Sequence, residues 1–363
     1  MKNRYLSLDI FRGITIAGMI LVNTSGNGDY TYSPLKHAHW HGFTPTDLVF
    51  PSFMFIIGVA MRFSFAPFNY TLTPSLRNKI LKRAAILFIV SYLIHNFPYL
   101  DFSLSHMRIP GVLQRLAIGF AATAFIVLTV QKKYLIYIAI GLLLGYWLVM
   151  FMFGNYDETT NAVLYLDRFL LGENHLYGGQ GFPFDPEGTL SSIPALASTL
   201  IGYLVGIGIQ ESKNKTTLVM KMVAWGVALI VIALIWNMAF PINKKLWTSS
   251  FVLLCAGLDM VILAPLIWII DIKGKTNWTY FFKVFGMNSI AAYAISELLA
   301  ISIGYISLPE GSSKTDLSSW IYWHGFQPIF GNYAGSLAFA IAFVLVCWLP
   351  LLWMYKKGIF WKI

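Results

Sequence analysis

Residues 36–66 read KHAHWHGFTPTDLVFPSFMFIIGVAMRFSFA, and the change of character in the middle of that string decides the fold. From Asp47 to Ala66 the chain is apolar for long enough to cross a hydrocarbon core, which takes about 20 residues as a helix. Just before Asp47 lie three of the chain's seven histidines, His37, His39 and His41. Titratable nitrogens and amphipathic aromatics therefore gather where a membrane ends and water begins.

Working outward, the same apolar length recurs almost end to end. The sequence predicts ten spans, at 8–24, 47–66, 80–97, 110–130, 133–153, 190–210, 219–240, 247–270, 281–306 and 334–355. Composition agrees: 57% of residues are hydrophobic and 12% charged, and the mean hydropathy is +0.65. Strands of a membrane barrel would instead alternate polar and apolar over roughly 10 residues. The expected fold is an all-α, polytopic helical membrane protein with about ten transmembrane helices and both termini cytoplasmic. One membrane domain covers residues 1–363, with an ordered, Gly-, Pro- and aromatic-rich outward loop at 154–189. No cleavable signal peptide is visible, so the first span is expected to stay as an anchor.

The formal charge of +10 is read as topology, not as a nucleic-acid surface. Of the 26 Lys and Arg, 17 fall at the N-terminus (Lys2, Arg4), in alternate loops (Arg77, Lys79, Lys82, Arg83; Lys132, Lys133; Lys213, Lys215, Lys221; Lys273, Lys275, Lys283) and at the C-terminus (Lys356, Lys357, Lys362). Those become the cytoplasmic faces. All seven histidines, including His95, His106, His175 and His324, then lie in or beside outward loops, which makes the outward side the chemical face. Lys244 and Lys245, in the short outward loop Pro241–Trp247, break the bias; either they snorkel or they face an anionic ligand. Cys255 and Cys347 sit inside apolar runs as packing residues.

Ionisable side chains inside a bilayer cost about 3 kcal/mol on insertion scales, so each needs a partner or a task. Asp9 and Arg12 share a helical face, as a local ion pair or as part of a phosphate contact. Asn23 closes the first span, as a cap or as an amide that orients a reacting carbonyl. Asp47 suits a first-turn acid and equally suits a carboxylate that fixes a histidine tautomer. Arg108 and Arg115, two turns apart around Pro110, fall roughly on one face. Asp259, Asn288 and Glu297 read as interhelical bonding groups. The alternating His37, His39 and His41 fit three readings: zinc ligands on an extended segment, an interfacial belt with Trp40, or one catalytic imidazole.

A resemblance narrows these choices. Ser7-Leu8-Asp9-Ile10-Phe11-Arg12-Gly13, Val22-Asn23, Lys36-His37-Ala38 with Trp40 and Gly42, and Asp47-Leu48-Val49-Phe50-Pro51 follow one another in order. Pro110–Arg115, Asp185-Pro186-Glu187-Gly188, Pro241–Thr248 and Gly286-Met287-Asn288-Ser289 continue the series. In this order the chain resembles the heparan-alpha-glucosaminide N-acetyltransferase family over nearly its whole length. The resemblance implies a membrane enzyme that takes acetyl from cytosolic acetyl-CoA and delivers it across the bilayer to the amine of a terminal glucosamine, with no metal. It implies His37 as the active residue and Asn23 as its companion. Asp47, Arg108, Arg115 and Lys245 are weaker candidates for orientation and for sugar or cofactor contacts, and Arg12 and Arg62 for cofactor binding. His39 and His41 fall outside the family pattern, which weakens the zinc reading. The resemblance further implies a compact bacterial homologue in the inner membrane, without the luminal N-terminal region and preceding span of the lysosomal member. A homodimer embedded in lipid is also implied, with no nucleic-acid partner. An acyltransferase acting on hydroxyls of envelope glycans, or an amino-sugar transporter, would share the topology; a transporter has no reason to bind CoA.

Overall fold

The computed structural model describes residues 5–361 apart from 101, 102, 104, 106, 180, 311 and 312, and without the side chains of 310 and 313. Lys2, Arg4, His106 and Lys362 therefore lie outside the described residues. The helices are α1 (Leu6–Asn23), α2 (Val49–Ser64), α3 (Pro74–His95), α4 (Val112–Thr129), α5 (Leu135–Met152), α6 (Ala162–Leu171) and α7 (Ser192–Glu211). They continue with α8 (Lys215–Trp236), α9 (Ser249–Leu266), α10 (Tyr280–Met287), α11 (Ser289–Tyr305), α12 (Leu317–Ile321), α13 (Gln327–Phe330) and α14 (Asn332–Lys356). An antiparallel hairpin, β1 (Ser307–Glu310) with β2 (Ser313–Asp316), caps the end of α11.

This is an all-α polytopic membrane protein. Among the described residues eight helices are long and apolar enough to cross a membrane, nine if α10 and α11 count as one span bent by 87°. The predicted third span is the one that falls short. Its helix, α3, carries Arg77, Lys79, Lys82 and Arg83 in its first half, and the uncharged remainder from Ala84 to His95 is shorter than the about 20 residues a crossing takes. The break between α10 and α11 falls at Asn288, whose side chain bonds the backbone of Ile359 and Trp361 instead of a neighbouring helix.

α7 and α9 are 67% buried over their apolar windows, whereas α5 is 28% and α8 22% buried; the former pair forms the centre and the latter lies at the outside. Small residues set how closely helices approach, as is usual where lipid tails compete with side chains for contact. On α2 and α7, a Cβ on Gly58 would meet the Thr199 carbonyl at 1.9 Å and one on Gly202 the Phe55 carbonyl at 2.0 Å. On α1 and α10 the contact is reciprocal: Gly13 abuts the Phe282 carbonyl and Gly286 the Asp9 carbonyl, both at 1.9 Å from the missing Cβ. The second contact brings Arg12 to α10, where its Nη1 donates to the Gly286 carbonyl at 3.2 Å.

Candidate active site

Between α1 and α2 the chain leaves the bundle, makes a 3-10 turn at Ser33–Leu35 and re-enters through a second at Pro45–Leu48. The Thr46 hydroxyl donates to the Pro34 carbonyl at 3.0 Å and the Thr44 hydroxyl to the Lys36 carbonyl at 2.7 Å, tying the two turns together. Asp47, fully buried, sits at their centre. Its Oδ2 accepts the Thr44 N–H at 3.0 Å and the Ala38 N–H at 3.2 Å, with the Thr44 hydroxyl oxygen 3.1 Å away. Its Oδ1 lies 2.7 Å from His37 Nδ1. The two sequence readings of Asp47 are thus one arrangement: the acid that starts α2 also holds the imidazole. An Nδ1–H donated to Asp47 puts the lone pair on Nε2, the tautomer a general base or nucleophile requires.

Across the imidazole stands Lys244, whose Nζ lies 3.1 Å from His37 Nδ1, 3.2 Å from Nε2 and 3.9 Å from Asp47 Oδ1. Its loop is fixed by Asn243, fully buried, which accepts the Leu246 N–H at 2.8 Å and lies 3.3 Å from His41 Nδ1. Trp247, at φ 53° and also fully buried, turns the chain back into the bundle. Burial pulls the Lys244 pKa below the ordinary lysine value, opposed by the charges of Asp47 and Glu187. The neighbouring Lys245 points elsewhere, its Nζ 5.6 Å from the centre of the Trp40 ring.

The three clustered histidines are separated by their partners. His37 faces Asp47 and Lys244, His39 Nδ1 lies 3.6 Å from Glu158, and His41 faces Asn243. The alternation that would place them on one side of an extended strand is broken by the bends around Gly42, at φ 109°.

Arg108 and Arg115 both grip the loop before α7. Arg108 donates through Nε and Nη2 to the two oxygens of buried Asp185 at 2.8 and 2.9 Å, and through Nη2 to Glu187 at 2.9 Å. Arg115, fully buried, donates to the Gly188 carbonyl at 3.1 Å and to the Ser191 hydroxyl, with its guanidinium 5.0 Å from the Trp247 ring centre. Beneath them Asp167 accepts the Thr189 N–H at 2.8 Å, and burial pushes its carboxyl up to about 6. The pair therefore holds protein carboxylates and carbonyls, and through them presents Glu187. Removing Arg108 strands the buried Asp185 carboxylate, so Arg108→Ala is expected to lower stability by about 3–5 kcal/mol; a thermal or denaturant melt of the purified protein in detergent checks it.

A cavity of about 450 Å³ joins these parts. It follows α2 from Val49 to Ser64, 15 residues or roughly 22 Å at the helical rise. At one end it is lined by Asn23, His37, Thr46, Lys244 and Glu187, and at the other by Arg12, Arg83, Ser64 and Met287. Asn23, the last residue of α1, is exposed at the histidine end. Arg12 lies at the opposite end beside Arg83 of α3, whose guanidinium stacks 4.4 Å from the Phe120 ring centre and whose Nε is buried without a hydrogen-bond partner among the described residues. Arg62 is not part of the lining; it pairs with Glu211 at 3.1 Å and lies 3.6 Å from the Tyr70 ring centre.

Of the residues singled out from sequence, His37, Asn23, Asp47 and Arg12 are thus gathered at or behind the cavity wall. Arg108 and Arg115 stand behind the loop, and Lys245 and Arg62 stand apart. Sequence reading passed over Lys244, Glu187 and Arg83 as site residues. Lys244 had a signal in its violation of the charge bias, shared with Lys245. Glu187 lay within a quoted motif, and Arg83 was absorbed into a cytoplasmic charge cluster.

Comparison with known proteins returns the same group. Residues 4–170 match the model of the family described as "Heparan-alpha-glucosaminide N-acetyltransferase, catalytic". Over 422 aligned residues, covering 99% of this chain, it is 30% identical to heparan-alpha-glucosaminide N-acetyltransferase of Mus musculus. Over 420 aligned residues, again covering 99% of it, it is 31% identical to the Homo sapiens protein of the same name. The chain spans 61% and 60% of the length of these two relatives. The region that carries His37, Asn23, Asp47 and both arginines of the far end is the matched one, and there the chain is similar to the heparan-alpha-glucosaminide N-acetyltransferase catalytic family.

Proposed function

We propose that the chain is an acetyl-CoA-dependent N-acetyltransferase that passes acetyl along its cavity to the amine of glucosamine or of a glucosamine-ended glycan. In this reading the arginine end faces the cytoplasm, the histidine end faces outward, and the membrane is the bacterial inner membrane. The observation that carries it is the polarity of one cavity: two guanidiniums at one end and a carboxylate-held imidazole at the other, with roughly 22 Å of α2 between. The relatives' printed name supplies the acetyl group and the amino sugar.

The fit of the donor rests on Arg83. Two like charges lining one end of a cavity, one with a buried, unpartnered Nε, form a seat for an anion such as a diphosphate. Arg12 and Arg83 would hold that end of acetyl-CoA, and the bound donor supplies the thioester. At the other end His37 Nε2 takes the proton from the amine as its nitrogen bonds to the acetyl carbon, and returns it to the departing sulfur. Asp47 keeps the Nδ1–H in place throughout. The Lys244 ammonium and the Asn23 amide are the donors for the oxyanion. In a covalent variant of the same chemistry, Nε2 itself attacks the acetyl carbon and later yields it to the amine. Acetyl-labelled protein, trapped without acceptor and abolished by His37→Ala, separates the covalent route from direct transfer.

The test is transfer in proteoliposomes of known orientation, with labelled acetyl-CoA at the Lys/Arg-rich face and glucosamine at the other. Labelled N-acetylglucosamine on the far side supports the reading; movement of sugar without acetylation overturns it in favour of transport. In the same assay Arg83→Ala is expected to raise the KM for acetyl-CoA by about 10- to 100-fold, the worth of one hydrogen bond to a charged group, while leaving kcat near wild type.

A further inference from the structure

One ionisable side chain in the cavity wall has no part in the chemistry above. Glu297 lies in the interior of α11, half-buried, one helical turn from Tyr293, and both line the cavity. No hydrogen bond or ion pair to either side chain is made among the described residues. A carboxylate inside a membrane helix normally pairs with a cation or serves a ligand. On the same face of α11 lie Tyr293, one turn back, and, toward the arginine end, Ile290 and Ser289, all lining the cavity.

Its place along the cavity matters. From Ser289, beside Met287 and Gly286, α11 advances eight residues to Glu297, roughly 12 Å toward the histidine end. The lining thus carries Arg12 and Arg83 at one end, and Glu187 and Glu297 on the side of His37. Glu187 is already bound to Arg108; Glu297 is the carboxylate left for something that enters. Of two reactants, one an anion and the other an ammonium ion at neutral pH, such a field draws the first to the arginines and the second to Glu297, and opposes the reverse arrangement.

We infer that Glu297, with Tyr293 one turn away, is the subsite that recognises the cationic amine of the acceptor inside the cavity. This rests on the acyl-transfer reading for the identity of the amine. Glu297 is a positioning residue: it touches the acceptor as an ammonium ion, which releases its extra proton to water before the free amine attacks, and it does not act on the acetyl group.

The experiment is equilibrium binding to the full chain in detergent, with glucosamine, glucose and acetyl-CoA as probes, at a pH where the amine is protonated. Wild type is expected to prefer glucosamine to glucose. Glu297→Gln, which keeps the shape and removes the charge, should lose about tenfold in glucosamine affinity, bringing it near that of glucose. Its affinities for glucose and acetyl-CoA should stay as in wild type, and Glu297→Asp should recover part of the preference. In turnover the KM for glucosamine rises and kcat holds. Unchanged glucosamine affinity in Glu297→Gln, or a parallel loss of acetyl-CoA binding, overturns the assignment, the second by showing a merely structural role. Wild type that prefers glucosamine but forms no acetylated product would leave the subsite standing and remove the acyl-transfer reading instead.

Discussion

His37→Ala is expected to reduce acetyl transfer by roughly 10²- to 10⁴-fold, the contribution of a positioned general base, while acetyl-CoA binding at the arginine end persists. The effect should not belong to the imidazole alone. Asp47→Asn keeps the size of the side chain yet replaces the acceptor of the Nδ1–H, and an amide turned to donate would favour the tautomer with its lone pair at Nδ1. The proton then sits on Nε2, the atom that has to be free. Asp47→Asn should therefore approach His37→Ala in turnover, and the double variant should be no worse than the poorer single one, because the two residues act as a unit. Asp47 also receives the Thr44 and Ala38 N–H groups that shape the turn into α2, so a thermal melt belongs beside the kinetics. Full transfer activity in folded His37→Ala would remove the histidine from the mechanism.

The second large effect is expected at Lys244. Its ammonium lies within 3.2 Å of both ring nitrogens, beside the position where a carbonyl oxygen gains charge as the amine or Nε2 attacks. Lys244→Met keeps much of the apolar stem and removes that charge; the loss expected is that of an oxyanion donor, about 10²- to 10³-fold in kcat. Lys244→Arg should restore part of it. The pH dependence follows from burial, which lowers the Lys244 pKa. The charged form is the useful one, so activity should fall as pH rises through a value below the ordinary lysine range. That alkaline limb should be absent from the residual activity of Lys244→Met and displaced upward in Lys244→Arg. A profile of kcat against pH for the three proteins checks this, and the same limb in all three would take Lys244 out of the oxyanion role.

The class of the fold was legible because apolar length is a local property: runs near 20 residues name their own helices. The bounds of α3 were not. Counting apolar residues from 80 onward made a span of a helix that begins at Pro74 and carries four basic residues in its first half. Asp47 and His37 were legible as a pair because both lie in one short loop and the carboxylate–imidazole contact closes within it. Arg108 and Arg115 were legible as unusual and illegible as to task. Their partners, Asp185, Glu187 and Gly188, are more than 70 positions away, and periodicity carries no information at that range. The choice between Lys244 and Lys245 turned on which neighbour faces the imidazole. The buried Asn243 and the positive φ of Trp247 decide that, and no helical or strand period governs such a loop. Arg83 was hidden by its company, one of four basic residues whose shared explanation as a topological signal concealed that one of them turns inward.

Between its charged ends the cavity is lined by Ile16 and Met19 of α1, Phe53 and Ile57 of α2, and Leu113 and Leu116 of α4. Narrow apolar passages expel water and thereby close to ions. A passage from one face of a bilayer toward the other would otherwise short-circuit the electrochemical gradient across it. The apolar side chains of this stretch oppose the entry of ions, with Glu297 as the carboxylate among them.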